Sequence, residues 1–217
     1  MAWKRREKVA IMEPLSLVSD VMTQILREEG DIIIEGALYN FVSLKSLLEL
    51  RKLDVVFSEV YDASTSIIEG LDFLRKLKAQ FPAIDIILHT EIEIPALLIQ
   101  SNADAIYMKQ LDVNGCRASA AQILNAESMV SVLFYEDRKL NYNFDMLSDY
   151  EWEVLIMFSQ QMSITNIADK MKTDYRRISR MKHTIMNKLK ITNNVAFSQL
   201  MALAGCKFSE YPPVSLQ

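Results

Sequence analysis

Arg176, Ser179, Arg180, His183 and Asn187 recur at spacings of three and four, so on a helix they share one face. A row of guanidinium, hydroxyl, imidazole and carboxamide groups can bond to base edges in the major groove of a nucleic acid, and Arg180 carries the fork that grips guanine through two hydrogen bonds. Between Lys170 and Lys190 stand eight Lys/Arg (Lys170, Lys172, Arg176, Arg177, Arg180, Lys182, Lys188 and Lys190) against one acid, Asp174, in a chain of net charge −4. A solvated surface is the common fate of such a charge run. The acidity of the remaining chain argues instead for a helix that meets phosphate. Ile178, Met181, Ile185 and Leu189 follow helical spacing on the opposite side and are expected to be core.

Other chemistry is poorly supported. The five glycines include no G-x-G or phosphate-loop arrangement, and no nucleophile stands with a base, so no enzyme is expected. Cys116 and Cys206 are far apart and lack metal-ligand spacing, so neither a disulfide framework, a metal site nor a cofactor is expected, and a reducing cytoplasm suits them. The basic start MAWKRREK is followed by an apolar run that Glu13 and Pro14 interrupt, unlike a signal peptide. No segment is apolar for long enough to cross a bilayer, so a soluble cytoplasmic protein, associated with the nucleoid and not with a membrane, is expected.

The elements that must carry the basic helix divide in two. Residues 1–147 hold 15 Lys/Arg and 22 Asp/Glu, and residues 148–217 hold 9 and 6, so a seam is expected near Leu147. Before it, apolar runs at 8–12, 31–35, 54–59, 84–89 and 105–108 read as strands alternating with helices at 17–29, 43–52, 66–81, 96–101 and 114–126. That rhythm predicts an α/β, flavodoxin-like domain over 1–126 with a five-stranded parallel sheet. Residues 127–146 read as a linker with a possible extra strand at 130–135. Residues 147–205 read as an all-α domain and 206–217 as a tail. Ser148 and Glu151 make a capping box for a first helix through Phe158, and a second helix spans 165–171. The basic helix follows a short turn, and Asn193 or Asn194 caps a last helix that Gly205 ends. This is a helix-turn-helix layout.

The segment LSDYEWEVLIMFSQQMSITNIADKMKTDYRRISRMKHTIMNKLKI resembles the LuxR/FixJ (NarL)-type helix-turn-helix at Leu147, Ser148, Glu151, Glu153-Val154-Leu155, Ser163, Ile167-Ala168, Ile178, Ile185 and Lys188-Leu189. Thr165-x-Ile167-Ala168 and Met186-x-Lys188-Leu189 look closest to enterobacterial Rcs-type regulators and their atypical BglJ-like partners. The resemblance implies a receiver-like domain followed by a DNA-binding domain. It makes Ser179, Arg180 and His183 base-reading, with Arg176 and Asn187 on the same face. Thr173, Arg177, Lys182 and Lys188 would contact phosphates. His89, at the end of the fourth strand, reads as a satisfied buried histidine.

Departures from the family pattern carry further expectations. The family usually has glycine where Gln161 stands, and a non-glycine residue in a left-handed conformation costs roughly 1 kcal/mol, so a different turn is expected there. Ser179 and Met181 replace the family's usual Lys and His, which implies a DNA site other than the commonest one. Aligning VVFSEVY and VAIMEP on the family's strands places Glu59 where a phosphoacceptor Asp is needed, and Glu13 with Pro14 where an acidic pair should be. Thr90 and Lys109 match the switch hydroxyl and the phosphate-pairing lysine. These five residues imply a degenerate, phosphorylation-independent pocket in which Lys109 pairs with Glu59, a salt bridge that could equally be purely structural.

The implied function is sequence-specific transcription regulation on double-stranded DNA, by a homodimer or by a heterodimer with an Rcs-type response regulator. The last helix and the receiver surface would dimerise, with Phe197 and Met201 either interface or core. The rival is an interaction protein that sequesters another response regulator without reading DNA.

Overall fold

The computed structural model describes residues 7–28, 32–92, 95–109 and 142–207. The first part contains β1 (Glu7–Met12), α1 (Ser16–Glu28), β2 (Ile32–Leu38), α2 (Phe41–Leu50), β3 (Val55–Ser58), α3 (Ile67–Gln80), β4 (Asp85–Thr90), α4 (Pro95–Leu98) and β5 (Ala105–Met108). A 3-10 turn, Ile99–Ser101, extends α4, so the fourth expected helix is real but irregular. The expected helix at 114–126, the possible strand at 130–135 and residues 208–217 of the expected tail lie outside the described residues.

The sheet runs β2-β1-β3-β4-β5 with every pairing parallel, the order of a doubly wound flavodoxin-like fold. Strand alternation builds its two faces. Val9, Ile11, Val55, Phe57 and Ile87 pack under α1 with Val18, Met22 and Leu26. Ala10, Met12, Val56, Ile86 and Leu88 face α2 and α3, meeting Leu44, Leu71 and Leu74. The inner strands β1, β3 and β4 are buried on both faces and read as continuous apolar runs, while the half-exposed edge strand β2 was visible through its consecutive isoleucines.

The second part comprises α5 (Asp149–Ser159), α6 (Ile164–Lys170), α7 (Tyr175–Lys188) and α8 (Asn194–Ala204). Its core joins Trp152, Leu155, Ile167, Ile178, Ile185, Leu189, Phe197 and Met201. Phe197 and Met201 are thus core residues, buried to 2 % exposure each. Phe144, in the expected linker, is buried as well and meets the Trp152 ring edge-on at 6.0 Å.

α3 carries the contact between the parts. The Ile67 N–H donates to the Cys206 carbonyl at 3.0 Å, capping the start of α3 from the other part. Arg75 bonds Asp72 and Asp149 at 3.0 and 2.7 Å, and its guanidinium lies 5.8 Å from the Trp152 ring centre. Gln160 donates to Glu69 at 2.5 Å. Gly205 ends α8 as expected, but at φ −85 rather than in a left-handed conformation. A side chain there would stand 2.3 Å from the Ser159 carbonyl oxygen, so close approach and not backbone freedom demands glycine.

Candidate functional site

Two groups of residues carry chemistry, one at the C-terminal edge of the sheet and one on α7. The strand order explains the first. β1 and β3 are neighbours, so the residues that follow them, Glu13 and Glu59, lie side by side, with the Glu59 N–H donating to the Met12 carbonyl at 2.9 Å. β5 lies beyond β4, and the long Lys109 side chain crosses the end of β4 to reach both carboxylates. Its Nζ stands 2.8 Å from Glu13 Oε2 and 2.6 Å from Glu59 Oε2. The lysine, Glu13 and Glu59 side chains are 1 %, 4 % and 0 % exposed.

The other carboxylate oxygens are also satisfied. Glu59 Oε1 accepts from the Val60 N–H at 2.7 Å and Glu13 Oε1 from the Leu15 N–H at 3.0 Å. Burial raises the Glu13 carboxyl to about 7 against the pull of Lys109, with the Glu59 charge adding to the rise. Burial alone would lower the Lys109 ammonium, but the two carboxylates outweigh it and hold the lysine above its usual range. The arrangement does not fit a divalent cation: both acidic side chains are already bonded to an ammonium, and Pro14 contributes no carboxylate. Among the described residues no cluster of three metal-ligating side chains occurs.

Thr90, also buried, accepts from the Ile92 N–H at 3.2 Å, and its carbonyl accepts from the Lys109 N–H at 2.7 Å. Tyr61, which no motif or spacing singled out, adds to this edge: its hydroxyl donates to Glu91 at 2.8 Å. Burial and then the Glu59 charge push its phenol well above the usual range, so it stays a donor. His89 is buried as expected but not fully satisfied. Its Nε2 is buried with no hydrogen-bond partner among the described residues. Burial, helped by Lys109, lowers this imidazole to about 3, so it is neutral.

In the helical part each helix opens on a side-chain cap. Ser148, Ser163, Asp174 and Asn193 accept from the N–H groups of Glu151, Asn166, Arg176 and Ala196. The capping box at Ser148 and Glu151 is present as expected. α5, α6 and α7 close alike: Gln161, Lys172 and Lys190 take φ of 60, 51 and 57. The following residues, Met162, Thr173 and Ile191, send their N–H groups back to Met157, Ala168 and Met186. The turn at Gln161 is therefore not altered. It keeps the left-handed form and carries the strain.

α7 is amphipathic as read, with Ile178, Ile185 and Leu189 fully buried. Met181 is only half-buried, and Met186, not expected in the stripe, is buried instead. Arg176, Arg180, His183 and Asn187 are exposed along one face with Ser179 half-buried beside them, so the five candidate base-reading residues do come together. Arg176 and Arg177 occupy the first turn, which holds no acid. Cations there oppose the helix dipole by roughly 0.3–1 kcal/mol each, so the helix itself gains nothing from them.

The candidate phosphate-contacting residues divide. Arg177 is exposed, its guanidinium 5.7 Å from the Tyr150 ring centre. Lys182 instead donates to Asn194 at 2.9 Å and lies 4.9 Å from the Phe197 ring centre. Lys188 bonds Glu151 at 2.7 Å, joining the end of α7 to the capping box of α5. Burial alone would raise the Glu151 carboxyl, but its bonds to Lys188 and Ser148 outweigh that and lower it. Thr173 is half-buried and closes the turn, while Asp174 opens the helix. Lys182 and Lys188 are thus engaged within the fold, which sequence spacing could not disclose because their partners lie on other helices.

A doubly wound sheet with charged side chains at its C-terminal edge, joined to four helices with a tight turn before a basic one, is the layout of a two-domain response regulator. Comparison with known proteins agrees. The chain is 25 % identical over 210 residues to the response regulator GacA of Pseudomonas aeruginosa, a match covering 91 % of this chain and 96 % of that protein. It is 27 % identical over 135 residues to the transcriptional regulatory protein RcsB of Escherichia coli, covering 59 % of this chain and 62 % of RcsB. Among solved structures, RcsB of Salmonella enterica serovar Typhimurium bound to promoter P1flhDC matches with a TM-score of 0.56 and 21 % identity over 91 % of this chain and 99 % of that one. The same protein bound to promoter rprA gives 0.55 and 22 % over 90 % and 98 %. At that identity the structures speak for the fold. No family model matches the chain. The resemblance to LuxR/FixJ-type response regulators therefore holds over nearly the whole chain through GacA, and the resemblance to the Rcs-type among them over 59 % of it.

Proposed function

We propose that the chain is a sequence-specific DNA-binding transcription regulator in which phosphorylation no longer controls the sheet domain. The observation that carries this reading is a pair of opposites. At the sheet edge, where the family's chemistry would occur, Lys109 is bound to both Glu13 and Glu59. On α7 the face holding Arg176, Arg180, His183 and Asn187 is open. Phosphoryl transfer requires a carboxylate nucleophile in line with the donor and a cation held by hard oxygen ligands. Glu59 carries one methylene more than an Asp, which displaces its oxygen. Lys109 supplies the positive charge that a cation would bring, so the charge balance of a phosphorylated pocket is permanently imitated. Arg180 and His183 read bases, with Ser179, Arg176 and Asn187 beside them, and Arg177 contacts phosphate.

In this reading 1–126 acts as a protein-interaction platform, 127–146 joins it to the 147–205 domain, and two half-sites are read by a homodimer or by a heterodimer with an Rcs-type regulator. Related proteins solved on DNA and as paired dimers support the DNA-binding and dimeric parts. The test is genome-wide mapping of bound DNA for the wild-type chain and for an Arg180→Ala, His183→Ala variant. Discrete sites that vanish in the variant support the reading. Unchanged promoter control, with no DNA binding by either protein, would instead identify an interaction protein that acts on another regulator.

A further inference from the structure

We propose that Tyr150 and Tyr175 are positioning residues for the two arginines that open α7, presetting both for a DNA duplex, Arg177 toward its phosphates and Arg176 on the face that meets the bases; the inference rests on the DNA-binding reading above. The arginines are consecutive, carry like charges and sit where the helix dipole is unfavourable, yet among the described residues neither has a carboxylate within ion-pair distance. Each has an aromatic ring instead. The Arg176 guanidinium lies 5.8 Å from the Tyr175 ring centre, and its Nε donates to the Tyr175 hydroxyl at 3.3 Å. The Arg177 guanidinium lies over the Tyr150 ring, which belongs to α5. Tyr175 is 54 % exposed, so core packing does not account for it.

The difference between a ring and a carboxylate is chemical. A carboxylate would consume the N–H edge of a guanidinium and cancel its charge. A ring leaves the charge and the terminal N–H groups of the guanidinium for a ligand, Arg176 spending only its Nε on the Tyr175 hydroxyl. Two such contacts, one within α7 and one from α5, also send consecutive cations to different neighbours and reduce the rotamer freedom each loses on binding. A DNA duplex, whose phosphates meet Arg177 while its groove meets the face that holds Arg176, is the partner that this geometry suits.

The test uses the full chain and a fluorescent mixed-sequence DNA duplex, titrated by anisotropy across a KCl series. Tyr150→Leu retains apolar packing without a ring face and should weaken binding about two- to fivefold, and Tyr175→Ala should do the same. Tyr150→Phe should bind as the wild type does. Because the tyrosine acts through the arginine, Tyr150→Leu should have no further effect in an Arg177→Ala background, whereas a general loss of folding would persist there. Arg177→Ala itself should reduce the slope of log affinity against log salt by about one. If Arg177→Ala weakens binding but Tyr150→Leu and Tyr175→Ala do not, or if the Tyr150→Leu effect survives in that background, the positioning role is wrong and the DNA-binding reading stands. If Arg177→Ala changes neither affinity nor slope, the phosphate-contacting reading of α7 fails with it.

Discussion

Lys109→Met removes the cation that bridges two buried carboxylates while retaining an apolar side chain of similar length. Both bonds it breaks are short, 2.6 and 2.8 Å, and all three side chains are almost wholly shielded from water. Breaking a buried ion pair from one side costs roughly 3–5 kcal/mol because the remaining charge loses its partner. Here two charges remain, but one can be discharged: burial already raises Glu13 to about 7, and loss of the lysine removes the main influence holding it down. The variant should therefore lose at least about 3 kcal/mol at pH 8 and less at pH 6, a large share of a total stability of roughly 5–15 kcal/mol. The sign in the wild type is the same. A carboxyl raised from 4.5 to about 7 binds its proton more tightly when folded, so its contribution is complete below 4.5 and is lost as pH rises through 7. Urea denaturation of both proteins at pH 6 and 8, followed by circular dichroism, measures this. Adding Glu13→Gln and Glu59→Gln to the variant should restore most of the loss. A change below about 1 kcal/mol that does not vary with pH would refute the buried triad.

Three other outcomes are expected. Gln161→Gly and Lys190→Gly should each stabilise the chain by about 1 kcal/mol in thermal or urea denaturation, because the native φ of 60 and 57 suits glycine. Gly205→Ala should destabilise by a few kcal/mol on the same assay, since a methyl group 2.3 Å from the Ser159 carbonyl must push α8 off α5. Arg176→Ala and Arg177→Ala should each leave stability within about 0.5 kcal/mol of the wild type, because relief from the helix dipole offsets the lost ring contact, while weakening DNA binding in anisotropy. A loss above about 1 kcal/mol in these two would show that the arginines hold the helix and not a ligand.

The fold was largely legible because its signals are local. Apolar runs marked all five strands, and Ser148 with Glu151 marked the start of α5. Boundaries moved by a few residues, as with β2, expected over 31–35 and found as Ile32–Leu38. The sheet-edge cluster was legible only through resemblance, since Glu13, Glu59 and Lys109 share nothing in sequence until parallel strand order brings them to one edge. What spacing could not disclose are contacts between helices. Lys188 bonds Glu151 across 37 positions, and Arg177 finds Tyr150 on another helix. Gln161 misled for a different reason: Met162 bonding to Met157 and the packing around it impose the left-handed turn regardless of side chain.

The central claim is that α7 meets DNA regardless of phosphorylation, and the most direct test is the affinity of the purified full chain for a genomically mapped duplex, with and without acetyl phosphate and magnesium. Unchanged Kd, protein mass and oligomeric state are expected, with binding lost in Arg180→Ala, His183→Ala. A phospho-adduct accompanied by a tenfold or greater change in Kd, about 1.4 kcal/mol, would contradict the claim.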